Sequence, residues 1–264
     1  MLTVISPAKK LNETPRALPE GHEMTEPVFA AQAMELVAEA RKLSVDQLRR
    51  LSGISEALAR LNRDRFAAFS ATPAPGTIFP AVQCFAGDTY QGLDVRTMSA
   101  SGLDWAAGHL RILSGLYGLL RPFDAIQAYR LEMGSRLATA AGPDLYAFWG
   151  DRIAQALTAL AAEQGADALL NCASVEYFEA AHRPALKLRV ITPVFLEEKD
   201  GEGRIVSFHA KRARGMMARF VCENRVTDVA GLRDFDLGGY RFRPDQSAAD
   251  RLVFSRPDAG AAAA

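Results

Sequence analysis

The segment Lys211-Arg212-Ala213-Arg214-Gly215-Met216-Met217-Ala218-Arg219-Phe220 places four cations in ten residues, with no acid among them. At 100° per residue Lys211, Arg214 and Gly215 share a helical face that Ala218 continues. Met217 and Phe220 fall elsewhere and are expected to pack inward. Cations in a first helical turn oppose the helix dipole, and a bound anion would offset that cost. Phosphate fits, because a guanidinium fork holds it through two parallel hydrogen bonds. A solvated basic face is the competing reading of the same pattern.

A second segment, Leu48-Arg49-Arg50-Leu51-Ser52-Gly53-Ile54-Ser55-Glu56-Ala57-Leu58-Ala59-Arg60, has the form of a helix-hairpin-helix over about residues 44–61. Gly53 would let the chain reverse closely. The free N–H groups of the second helix would then point outward, where DNA phosphates can accept them. Arg49, Arg50, Arg60 and Arg63 would add charge contacts that position the duplex without reading bases. Ser55 stands where such hairpins usually carry a second glycine; it can cap a helix instead. An ordinary αα-hairpin is the alternative.

A third set gathers at strand ends and turns: Lys9 and Lys10, Arg130 and Glu132, Asn171, Ser174 and Glu176. Such loop-edge residues are where sites collect on α/β scaffolds. Together they would make a pocket for an enzyme acting on a phosphorylated or nucleobase substrate. Lysine and arginine would hold phosphate there, and Glu132 would serve as acid or base. Arg130 and Glu132 could equally form a structural ion pair. No Ser-His-Asp, Walker A or GxGxxG arrangement accompanies them, so no reaction is named by motif.

Metal and thiol chemistry find little support. His22, His109, His182 and His209 lack ligand spacing, and Cys84, Cys172 and Cys222 form no CxxC. No metal and no cofactor are expected. Cys84 and Cys172 lie in apolar surroundings that make a thiol inert, whereas Cys222, late in a basic helix, is the one to watch.

The 264 residues carry 31 basic and 31 acidic side chains, a balance that at first disfavours a polyanionic partner. The charge is uneven, however. Residues 41–65 sum to +4, residues 204–219 to +5 and residues 111–136 to +2, leaving −11 for the rest. Cancellation of this kind permits a localised basic cleft. No apolar run is long enough to span a bilayer, and the N-terminus lacks a secretory pattern. A soluble, cytoplasmic protein without membrane contact is expected.

The elements that must position these residues read as an α+β chain: a single mixed α/β domain over residues 1–257 and a low-complexity tail at 258–264. Leu2 to Ile5, Phe79 to Phe85, Arg111 to Leu113 and Ala168 to Cys172 read as strands. Leu186 to Ile191 and Val194 to Glu198 read as strand interrupted by Pro193. Ile205 to Phe208 is expected to pair with them through an Asp200-Gly201 turn. Helices are expected from Pro27 to about Leu43, from Ser44 with an S-x-x-Q capping box, from Leu103 to His109, across Pro143 to Gln164, and from His209 to Val226. Gly87-Asp88 reads as a turn, and Ala71 to Pro80 as the best candidate linker.

Taken together, these segments resemble the YaaA family of bacterial peroxide-stress proteins. The resemblance runs from Met1 to about Arg256. Its blocks include Ile5-Ser6-Pro7-Ala8-Lys9, Phe85-Ala86-Gly87-Asp88-Thr89-Tyr90-Gln91-Gly92-Leu93 and Leu113-Ser114-Gly115-Leu116-Tyr117-Gly118. Tyr129-Arg130-Leu131-Glu132-Met133-Gly134, Phe148-Trp149-Gly150, Glu176-Tyr177-Phe178 and Ala213-Arg214-Gly215 extend it. The resemblance implies a curved sheet flanked by helices, a positively charged cleft and an embedded helix-hairpin-helix. It also implies binding of duplex or structured DNA without marked sequence preference. The implied physiology is protection during hydrogen peroxide stress by keeping intracellular iron, and hence Fenton chemistry, low. It implies no set of catalytic residues.

Overall fold

Leu2–Ile5 is a wholly buried run rich in β-branched residues, and it forms β1. The computed structural model describes residues 1–14, 17–199 and 202–257. After β1 come β2 (Lys10–Leu11) and three helices, α1 (Ala30–Arg41), α2 (Val45–Ser52) and α3 (Glu56–Ala68). Short elements follow: β3 (Ile78–Pro80), α4 (Ala81–Cys84), β4 (Phe85–Ala86) and α5 (Asp88–Leu93). Next, α6 (Ala100–His109) runs directly into β5 (Leu110–Ser114), then β6 (Gly118–Leu120) and β7 (Ala125–Gln127). α7 (Leu145–Trp149) and α8 (Arg152–Gln164) precede β8 (Ala168–Cys172) and α9 (Val175–Phe178). The last part holds β9 (Arg189–Lys199), β10 (Glu202–Arg204), α10 (Ser207–Asn224), β11 (Arg241–Phe242) and β12 (Arg251–Pro257).

Eight strands make one mixed sheet, ordered β11-β12-β9-β8-β1-β5-β6, with β10 pairing β9. The inner pairs, from β12 through β9, β8 and β1 to β5, are all parallel. Parallel strands need cover on both faces, and β1, β5 and β8 are buried at every position. One continuous core joins the helices to the sheet, as expected of a single mixed α/β domain.

Strand order also locates a crevice. The chain leaves β1 toward β5 on one side and leaves β8 toward β9 on the other. Where neighbouring strands diverge in this way, their carboxyl ends open into the usual ligand position of α/β sheets. Here that position lies between Ser6 and Ala173-Ser174.

Several local expectations are corrected, each for a visible reason. Residues 79–85 are not one strand: Pro80, which has no amide to continue a ladder, ends β3 and caps the single turn of α4. Gly87-Asp88 is the start of α5 rather than a turn. The stretch 143–164 breaks into α7 and α8 at Gly150, whose φ of 49° lies in the left-handed region. Pro193 does not interrupt β9. Thr192 donates its amide to Asp250 of the β12 side, so position 193 faces β8, whose pairing stops at Ile191. Residues 205–208 are not a strand: β10 ends at Arg204, and α10 begins at Ser207. Ala71 to Pro80 is no domain linker, since β3 within it pairs with β7. Pro15, the Asp200-Gly201 turn and the 258–264 tail lie outside the described residues.

The C-terminal strands are fastened by a buried charge. Arg256 Nε lies 2.9 and 3.0 Å from the Glu197 carboxylate oxygens, and Tyr240 donates to the same carboxylate at 2.5 Å. Arg256 also covers the Tyr240 ring at 4.5 Å and meets His209 of α10 at 2.9 Å. A buried carboxylate needs this full set of partners.

Candidate functional site

The crevice at the ends of β1 and β8 is built by short hydrogen bonds between the loops that follow them. Ser6 Oγ accepts the Ser174 amide at 2.8 Å and lies 3.3 Å from Ser174 Oγ. Tyr90 donates its hydroxyl to the Ser6 carbonyl at 3.2 Å, and the Tyr129 and Ser114 hydroxyls are hydrogen-bonded at 2.6 Å. Burial pushes both phenols well above their ordinary range. Asn171 is spent on the Ala173 amide at 3.0 Å and Glu176 on the Gly134 amide at 3.0 Å.

Three of the expected pocket residues do converge. Lys9, Arg130 and Glu132 line one small cavity of about 20 Å³ with Phe85, Tyr129 and Tyr177. Arg130 Nε bonds Glu132 Oε1 at 2.8 Å, while Glu132 Oε2 is buried and meets no donor among the described residues. Lys10 turns away into a larger groove. Arg214 sits on α10 near Cys172, mostly buried, and makes no ion pair or hydrogen bond among the described residues. Burial lowers the pKa of its guanidinium.

The α2–α3 pair forms as its sequence dictates. Ser44 and Gln47 complete a capping box, Gly53 takes φ 58° at the end of α2, and Ser55 caps α3 by accepting the Leu58 amide. Of its cations, Arg60 is held by Glu56 at 2.6 Å, Arg63 by Asp64 at 3.0 Å, and Arg49 is 3.7 Å from Asp46. Arg50 is exposed and makes no ion pair among the described residues. It lines a groove of about 570 Å³ with Lys42 and Arg136.

On α10 the face containing Gly215 and Ala218 is buried, and of the helix's four cations Lys211 and Arg212 are exposed while Arg214 and Arg219 are partly buried. Met217 is buried and Phe220 half-buried, close to expectation. Arg219 serves the fold, donating to the carbonyls of Asp94 and Thr97 at 2.8 and 2.7 Å. Arg212 lines a second groove, of about 580 Å³, together with Lys10 and Arg96.

All three cysteines are buried, and burial pushes each thiol up to about 12. Cys222 is therefore as inert as the others, contrary to its sequence context. The unfolded chain loses these protons near the reference value of 9.0 while the folded state keeps them. The thiols' contribution to stability is therefore expected to be constant below about pH 9 and to fall between about pH 9 and 12. Denaturant midpoints across that range, for the protein and for a variant with all three cysteines replaced by alanine, measure the share carried by the thiols. An equally steep alkaline loss in the variant would show that they carry none.

Residues 1–246 match the family model described as "Peroxide stress protein YaaA". The chain belongs to the YaaA family of peroxide stress proteins. Similar proteins include the UPF0246 protein of Ruegeria pomeroyi, 54% identical over 98% of this chain and all of the relative. The UPF0246 protein of Cereibacter sphaeroides strain KD131 is 59% identical, covering 97% of this chain and 99% of the relative. That of Jannaschia sp. is 53% identical over the whole of both chains.

For this YaaA-family chain the structure adds residues that spacing could not single out. Asn62, almost wholly buried on α3, bonds both the carbonyl and the amide of Arg130 at 2.8 and 2.9 Å. The α2–α3 pair is thereby clamped to the segment lining the crevice. Asn62→Ala would strand both backbone groups, so a loss of about 2 kcal/mol is expected. A thermal melt should show a drop of roughly 4 to 8 °C; an unchanged melt would deny the clamp. Among the described residues no group of three or more His, Cys, Asp or Glu could hold a metal ion, and no helix is long and apolar enough to cross a membrane.

Proposed function

We propose that this peroxide stress protein is a cytoplasmic DNA-binding protein that grips phosphates through its basic grooves and a helix-hairpin-helix at α2–α3. The observation that carries the reading is where the unpaired cations fall. Arg50 borders a groove beside α2, and Lys10 and Arg212 border another at α10. Ser55 takes the Leu58 amide, and the Glu56 and Ala57 amides beside it at the exposed start of α3 have no partner within their own helix and suit a phosphate. Because these contacts engage only the backbone, little sequence preference is expected. Limitation of intracellular iron and of Fenton damage is proposed as an indirect consequence in the cell.

The test is titration of duplex, bubbled and single-stranded DNA with the protein and with an Arg49→Ala/Arg50→Ala/Lys211→Ala variant. Weaker binding by the variant supports the proposed surface, and equal binding contradicts it. A second reading, an enzyme on a phosphorylated or nucleobase substrate, draws support from the convergence of Lys9, Arg130 and Glu132 on one cavity at the strand ends.

A further inference from the structure

We propose that the groove bounded by β2, β4, α5 and α10 is a nucleotide-binding site, with phosphate held by Lys10 and Arg212 and the base directed toward Gln83. Its volume, about 580 Å³, suits such a ligand. The mouth carries Lys10, Arg96 and Arg212 against one carboxylate, Asp94. That carboxylate is already engaged: Oδ2 accepts the Thr97 hydroxyl at 2.7 Å, and Oδ1 lies 3.8 Å from Arg96. Lys10 and Arg212 are exposed and make no ion pair among the described residues. Two free cations at one mouth suit an oxyanion, with the Arg212 fork able to hold it through two bonds.

The inner end calls for a different partner. Gln83 Oε1 is buried and accepts no hydrogen bond among the described residues. Leaving such an acceptor unmade is costly, and an N–H donor on the ligand would remove the cost. The lining also offers apolar surface from Leu11, Val82 and Val95 and from Phe85 and Tyr90, whose rings lie 5.6 Å apart. Phe85 also lines the small cavity where Glu132 Oε2 waits without a donor. A second unfilled acceptor therefore lies just beyond the groove. An oxyanion, an apolar ring and an outward N–H on that ring combine in a nucleotide. A bare phosphate would leave Gln83 unpaired, and a nucleoside would leave the cations unpaired.

The same chemistry can arrive as a free mononucleotide or as one nucleotide unstacked from a single strand. This groove is also one of the two basic grooves proposed to grip DNA, but the α2–α3 surface does not depend on it, so failure here leaves the α2–α3 reading of DNA binding intact. Calorimetric titrations test it with AMP, CMP, GMP and UMP, with adenosine, cytidine, guanosine and uridine, with inorganic phosphate, and with a 5′-phosphorylated single-stranded hexanucleotide. At least one nucleotide, free or within the strand, is expected to bind more tightly than inorganic phosphate. Lys10→Ala/Arg212→Ala should weaken it about tenfold or more while leaving the matching nucleoside unchanged. Gln83→Met should weaken nucleoside and nucleotide alike, by about tenfold, and spare inorganic phosphate. Binding by mononucleotides identifies a free ligand, and binding by the hexanucleotide alone identifies a strand. The proposal fails if neither form binds more tightly than inorganic phosphate, or if binding is unchanged in both variants. A thermal melt of each variant confirms that it is folded; the Lys10/Arg212 pair is exposed and should melt as the parent does.

Discussion

Gly215→Ala is expected to lower the melting temperature by about 6 to 12 °C. Gly92 of α5 and Gly215 of α10 face one another where the two helices cross. A Cβ on Gly215 would come 1.8 Å from the Thr89 carbonyl oxygen, and one on Gly92 2.0 Å from the Arg212 carbonyl oxygen. Both obstacles are backbone, so no side chain can swing aside. Overpacking in a filled core costs roughly 1 to 3 kcal/mol, and the upper end applies where backbones must separate. At roughly 2 to 4 °C per kcal/mol for a chain of this size, the expected shift follows. Gly108 in α6 provides the control, because its added Cβ would meet only the end of the Gln164 side chain at an ordinary 3.6 Å. Gly108→Ala should leave the melt unchanged or raise it slightly, by about the 1 kcal/mol that separates alanine from glycine in helices. Equal melts for the two variants would deny the close crossing. The crossing also shapes function, since α5 and α10 both border the groove that carries Arg212.

The contrast between these glycines shows what the sequence conceals. Helix starts with local chemistry are legible: the Ser44–Gln47 capping box and the Ser55 cap appear where the residues place them. Buried parallel strands are legible too, since β1 and β8 are short apolar runs with clear ends. Gly92 and Gly215 are not, because a close crossing depends on two segments more than a hundred residues apart. Pro193 misleads for a related reason: whether a proline breaks a strand depends on which neighbour its missing amide would have faced. Ile205 and Val206 carry strand-forming side chains, yet α10 begins immediately after them.

The candidate site divides along the same line. Lys9, Arg130 and Glu132 were identifiable as loop-edge residues, and their convergence needed only the strand ends to meet. That Ser6 and Ser174 mark the crevice depends on β8 lying beside β1, which strand order alone reveals. Charge content separates residues that spacing treats alike. Arg219 and Arg50 are both cations on helices, but Arg219 is committed to Asp94 and Thr97, while Arg50 faces solvent. Asn62 lies in a window notable for basic charge, and its role appears only once Arg130 is beside it.

Replacing Arg49, Arg50 and Lys211 by alanine is expected to weaken DNA binding and to flatten its dependence on salt. Each phosphate neutralised on duplex DNA releases condensed counterions. The logarithm of the association constant therefore falls with the logarithm of salt concentration, with a slope of about −0.9 per contact. Three contacts removed would make the slope shallower by up to about 2.7. All three side chains are exposed, so the fold should survive the exchange. A loss that fell only on one DNA sequence would indicate base readout, which side chains gripping phosphates do not supply. The direct measurement is duplex DNA affinity of parent and variant across a salt series. Binding through the basic surface predicts a weaker variant with a shallower slope. The same affinity and slope in both would contradict it.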